Sequence, residues 1–201
     1  MSAAMTLTGA AAYAATFDFI TGEFVSANLG DEAVFTVEGV NLSVTAAGGD
    51  VIVHEVGIGV GTAATPSRDT LADNLLSVGE LLIFAFQPAV GILESILFES
   101  RSGSDTVTLT NLTDSTFTTF TINDTNGTSG QETTSFTLAG IDDFKNVGSL
   151  FSFQTSNSTG TNPGVLISEV AVSPVPVPAS FPLLLAGLGG LAFIRRRKAA
   201  A

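Results

Sequence analysis

The chain has 201 residues, of which 45% are hydrophobic and 13% charged, with a mean hydropathy of +0.45 and a formal net charge of −12. That balance excludes a disordered chain, and the lack of cysteine excludes disulfides, thiolate metal sites and cysteine nucleophiles. All nineteen acids lie between Asp18 and Glu169 against three basic residues (Arg68, Arg101 and Lys145), so the body stands at −16, repels phosphates and excludes a nucleic-acid partner.

Residues 1–15 (MSAAMTLTGAAAYAA) are small and apolar and carry no charge. Ala12-Tyr13-Ala14 forms an A-x-A site before Ala15, as at the end of a secretory signal peptide. The basic residues that open such a signal are missing, which a start codon placed too far downstream would explain. A frayed tail or a first strand is the alternative.

Residues 16–172 read as β throughout. The strand-like runs are Val34 to Val44, Val51 to Val53, Glu80 to Phe86, Ile92 to Glu99, Thr106 to Thr110, Ser115 to Ile122, Thr133 to Leu138, Leu150 to Gln154 and Val165 to Val172. Thr106–Thr110 and Thr133–Leu138 alternate polar with apolar, the period of a half-buried strand. Gly-, Asn- and Ser-rich punctuation separates the runs at Gly48 to Asp50, Gly103 to Asp105, Asn123 to Gly130 and Asn157 to Gly164. Eight to ten short strands with such turns predict an all-β, antiparallel β-sandwich of jelly-roll-like form. Helix is confined to one or two turns at Thr70 to Leu76 and at Ile141 to Val147, too short for main elements.

Residues 173–180 open with proline at every second position, a stiff extended spacer that cannot pair in a central strand. Residues 181–194 (FPLLLAGLGGLAFI) contain no charged or polar side chain, and Arg195, Arg196, Arg197 and Lys198 follow within a basic tail, 195–201. As a helix, the apolar run from Ala179 would cover about 24 Å, less than the ~30 Å hydrocarbon core. It is apolar on every face, however, and the four cations can snorkel into headgroups and extend the span. A short C-terminal transmembrane helix is therefore predicted, with the basic tail in the cytoplasm and the body exported. The alternative, a helix packed on the sandwich, leaves four adjacent cations and a proline spacer without a packing role.

These three parts together closely resemble the bacterial PEP-CTERM sorting signal, nearest to its VPLPA variant. The resemblance covers about 27 residues, with Val177 where the variant usually has leucine. It implies that Val175, Pro176, Val177, Pro178 and Ala179 are the motif recognised by exosortase, a membrane cysteine protease that cuts off the tail. Residues 181–194 would be the temporary inner-membrane anchor and Arg195 to Lys198 its stop. Over roughly 45 residues, from Val56-Gly57-Ile58-Gly59-Val60 through Gly79 to Phe86 and Ile96-Leu97-Phe98, the body also resembles sandwich domains of exported proteins bearing this signal. Such proteins are associated with exopolysaccharide and biofilm matrix.

The body shows no catalytic constellation. His54, the one histidine, lies in a strand-like run without a nucleophile elbow, and is expected to be an exposed strand residue. Zinc would need more ligands. No cofactor is expected apart from a weak case for Ca²⁺, with Asp69 and Asp73 in one polar loop and the adjacent Asp142 and Asp143 as candidate ligands; no complete EF-hand pattern is present. Phe117, Phe120, Phe151 and Phe153 are assigned to the core or a sheet face. The N-x-S/T matches at Asn41, Asn111, Asn123, Asn126 and Asn157 are chance matches in a Thr-rich chain. The expectation is a non-enzymatic, exported surface or matrix protein. The alternatives are a carbohydrate-binding module for exopolysaccharide, a polysaccharide-active enzyme using carboxylates, and a permanently anchored membrane protein.

Overall fold

The computed structural model describes residues 14–20, 27–54, 56–61, 75–87, 91–100, 103–123, 132–159 and 164–174. These form fourteen strands and no helix: β1 (Ala15–Asp18), β2 (Ala27–Asn28), β3 (Glu32–Val37), β4 (Val40–Ala47), β5 (Asp50–His54), β6 (Gly57–Gly61), β7 (Leu81–Gln87), β8 (Gly91–Ser100), β9 (Ser104–Asn111), β10 (Thr116–Asn123), β11 (Glu132–Thr137), β12 (Val147–Gly148), β13 (Leu150–Ser158) and β14 (Val165–Pro174). An eight-stranded sheet runs β11-β8-β14-β6-β5-β2, with β1 added on β14 and β12 on β8; a six-stranded sheet runs β10-β9-β13-β7-β4-β3. Every ladder between these strands is antiparallel. The fold is thus all-β and sandwich-like, as the alternation predicts.

The alternation places one row of each strand inside. On β9 the buried residues are Asp105, Val107, Leu109 and Asn111, and the threonines between them face out. The shared core is rich in phenylalanine, and ring pairs join the two sheets. Phe17 of β1 lies 6.0 Å from Phe86 of β7, and Phe98 of β8 lies 6.4 Å from Phe153 of β13. Phe19, just past β1, meets Phe35 of β3 edge-on at 5.3 Å. Such tilted and edge-to-face pairs add to the area term of burial. Connections are tight where the chain allows it. Val37 pairs with Val40 across a two-residue hairpin whose central Glu38 and Gly39 both have positive φ, the geometry that matches strand twist.

Several expectations change. β1 starts at Ala15 and β14 runs to Pro174, so paired structure reaches one residue before and two residues beyond the span 16–172. Pro174, which cannot donate to a ladder, still stands opposite Gly91. Ile141 to Val147 is turn followed by β12, not a helical turn. In the other proposed turn, residues 70–74 lie outside the described residues; Leu76 is extended and exchanges backbone hydrogen bonds with Val165 at 2.7 and 3.3 Å. β6 is an addition: its sequence, GIGVG, lacks the polar–apolar contrast that marks a strand. His54 is buried, 1% exposed, because β5 and β6 are covered on both faces. A second small cluster of Val56, Leu75 and Leu166 accompanies this coverage.

Candidate functional site

The informative place is the end of β14, where the body hands over to the C-terminal segment. A central strand supplies this exit. β14 has β8 along one edge, and along the other it has first β6 (Ile167 opposite Ile58) and then β1. Between these halves the ladder with β8 shifts register at Ser168, whose buried hydroxyl donates to the carbonyl of Val56 at 2.7 Å. The last four residues are paired: Ala171 with Ser95, Val172 with Leu93, Ser173 with Ile92 and Pro174 with Gly91. The Ser173 hydroxyl also donates to the Glu94 carboxylate. β8 is braced from its other side by β12 and by Asn146, whose Nδ2 donates to the Leu93 carbonyl at 3.0 Å. The exit strand is therefore held until the residue before Val175.

The N-terminal end of the described body lies beside this exit. Ala15 stands opposite Val172, and Phe17 opposite Val170. Ala14 is exposed, whereas Ala15 is fully buried as the first residue of β1. Ala12 lies outside the described residues, as do Val175, Pro176, Val177, Pro178 and Ala179, the 181–194 segment, and Arg195, Arg196, Arg197 and Lys198. Among the described residues no helix is long and apolar enough to cross a membrane.

Of the candidate cation ligands, Asp69 and Asp73 also lie outside the described residues. Asp142 and Asp143 are exposed in a turn, and Asp143 has a φ of 62°. Among the described residues no group of three or more His, Cys, Asp or Glu is placed to hold a metal ion.

Two buried polar centres escaped the sequence reading. Asp105 is fully buried where β8, β9, β13 and β14 converge. Its carboxylate accepts from the Ser100 hydroxyl at 2.8 Å, from the Ser158 hydroxyl, and from the Gly164 N–H at 3.2 Å. Burial pushes this carboxyl above its ordinary range, and the bonds from Ser158, Ser100 and Gly164 pull the other way without cancelling the effect. In sequence, Asp105 reads only as part of a turn, because two of its donors lie more than fifty residues away.

Asn111, which matches N-x-T with Leu112 and Thr113, is fully buried. Its Nδ2 donates to the carbonyls of Lys145 at 2.7 Å and Val147 at 3.0 Å, and its Oδ1 accepts from the Thr113 N–H at 2.9 Å. A Cβ at Gly148 would stand 2.8 Å from Oδ1 and 2.9 Å from Nδ2, so only glycine lets the segment close over the amide. Asn111→Ala is expected to cost about 2 kcal/mol, since it removes three part-buried hydrogen bonds made by a fully buried amide. A lower urea midpoint at unchanged slope checks this.

Residues 174–198 match the model of the PEP-CTERM protein-sorting motif. This C-terminal region therefore carries a sorting signal, and the match begins on the last residue of β14. The motif is that of an exported protein sorted at the membrane through exosortase and then delivered to the surface. No curated protein sequence matches the chain. Among solved structures, the chain is similar to a rhamnosidase from Klebsiella oxytoca with rhamnose bound, at 10% identity and a TM-score of 0.35. That alignment covers 75% of this chain and 29% of the other, so the chain spans less than a third of that protein's length.

Proposed function

We propose that this is a non-enzymatic bacterial protein of the cell surface or extracellular matrix, associated with exopolysaccharide or biofilm. In this reading its jelly-roll-like sandwich is delivered by a removable C-terminal tag. The observation that carries the reading is the sorting motif at residues 174–198, directly after the final strand. Val175 to Ala179, in the VPLPA manner, is the segment exosortase reads. Residues 181–194 cross the inner membrane for a time, and Arg195 to Lys198 hold the end in the cytoplasm.

Two features of the body support this. The A-x-A site ends at Ala14, so a cut there leaves β1 whole, with Ala15 in its buried place. Ala15 stands opposite Val172, so both segments assigned to the membrane leave from one end of the eight-stranded sheet. A precursor held at both ends can then keep its sheets paired, with that end turned to the bilayer. A proline-alternating segment is already extended, so a protease cleft can take it without unfolding β14.

Intact mass of the protein recovered from the cell surface or medium tests the reading. The expected species begins at Ala15 and ends before Phe181. Extracellular material that still ends in the Arg195–Lys198 cluster, or a chain confined to the cytosol, overturns it.

A further inference from the structure

The wet face of an antiparallel sheet is polar, and charged side chains, lysine in particular, protect its edge strands. The outer face of the six-stranded sheet carries almost none of these charges. Among its outward ladder residues, Glu32 on the edge strand β3 is the one charged side chain, and the opposite edge, β10, presents none. This is a selective depletion, because the body as a whole stands at −16.

On the β10–β9–β13 half of the face a regular polar array takes the place of the charges, whereas β7 turns Leu81, Ile83 and Ala85 outward and β3 turns out Val34. Thr106, Thr108 and Thr110 of β9 stand opposite Thr121, Thr119 and Phe117 of β10. Sheet geometry spaces such neighbours about 6.8 Å along a strand and about 4.8 Å between strands. β13 continues these rows with serine, glutamine and asparagine. Phe117 is 64% exposed, an aromatic ring left in water at the sheet edge beside hydroxyl rows.

Hydroxyls and amides both donate and accept, so they match a ligand that does the same at many points. Among the described residues the outward ladder positions of this face hold no cation for a polyanion, and the acidic body repels one. Phe117 offers an apolar surface to the C–H face of a sugar ring, while the hydroxyl rows are too polar for the apolar centre of a protein interface. A repeating surface also suits a repeating ligand, whose weak contacts add up along its length. We propose that the β10–β9–β13 half of this outer face, centred on the Thr106–Thr110 and Phe117–Thr121 rows, binds a neutral, hydroxyl-rich polysaccharide.

Affinity electrophoresis of the full chain in mild detergent tests this, with dextran or hydroxyethylcellulose in the gel as neutral polymers and alginate as the anionic one. The binding site is read on purified protein, so it stands or falls separately from export and cleavage. The neutral polymers are expected to retard the protein and alginate is not. Phe117→Ala should weaken retardation about tenfold, the loss of one ring contact. Thr108→Val with Thr119→Val removes hydroxyls but keeps β-branched shape, and should weaken it several-fold at unchanged melting temperature. Val147→Ala, on β12 of the other sheet, should leave it unchanged. Failure of both neutral polymers to retard the protein, equal retardation by alginate, or indifference to both face variants overturns the proposal. So does a dimer in sedimentation velocity that Phe117→Ala breaks, which would give the face to a second copy.

Discussion

Replacing Phe153 with alanine is expected to lower the unfolding free energy by about 3–5 kcal/mol. The ring is fully buried, with the Phe84 ring 4.8 Å away and the Phe98 ring 6.4 Å away. Its strand, β13, lies between β7 and β9, with Phe153 opposite Leu82 on one side and Leu109 on the other. The cavity would open at the join of the two sheets, enclosed by strands whose ladders resist collapse, and this sets the cost at the upper part of the range for large-to-small changes. Against a typical total of about 5–15 kcal/mol, the loss is a large fraction of the stability. Phe117→Ala removes the same ring from an exposed position and should stay within about 0.5 kcal/mol of the parent. Urea unfolding of the two variants side by side gives the comparison. Equal losses would show that the two rings do not occupy such different surroundings.

Asp105→Ala is expected to cost about 3 kcal/mol, because it leaves the Ser100 and Ser158 hydroxyls and the Gly164 N–H without their acceptor. Asp105→Asn keeps the shape and the hydrogen-bonding capacity, since the serine hydroxyls can turn to accept, and should cost far less at neutral pH. The pH dependence separates charge from shape. Burial raises the native Asp105 carboxyl above its unfolded value, so between those two values the native state binds more protons than the unfolded chain. Stability contributed by this group therefore falls as pH rises through the window and returns as pH is lowered towards the ordinary carboxylate range. Glu80, also raised by burial against hydrogen bonds from Ser77, works with the same sign. Asp105→Asn should flatten this part of the profile, leaving the share due to Glu80 and to general charge repulsion. A profile of unfolding free energy from pH 4 to 8 checks it, and an unchanged slope would remove Asp105 as a contributor.

The parts legible in the sequence were those whose signal is local. Thr106–Thr110 shows its strand because polar and apolar residues alternate within five positions. β6 shows none, because it is covered on both faces and glycine and aliphatic residues alternate there without polar contrast. The C-terminal signal is legible for a similar reason: alternating prolines, an unbroken apolar run and four adjacent cations each act through composition over a short stretch. The Asp105 centre was not legible, since Ser158 and Gly164 reach it only after β13 and β14 have been laid beside β9 and β8. His54 was misread as exposed because nothing next to it in sequence announces that both faces of β5 are covered.

By itself, then, the sequence determined the β class, the acidic charge of the body, and the sorting signal after the last strand. It also placed the residues of each alternating strand in two rows. Only the tertiary structure decided which row met the core, sending Phe153 inside and Phe117 into water, and which distant segments shared a buried carboxylate. It also decided that Ala15 and Val172 stand side by side, so that the two ends of the body leave from one place. The physical reason is that alternation fixes faces only relative to each other. Register and strand order are set by long-range pairing, where a one-residue slip would exchange every inward side chain for an outward one.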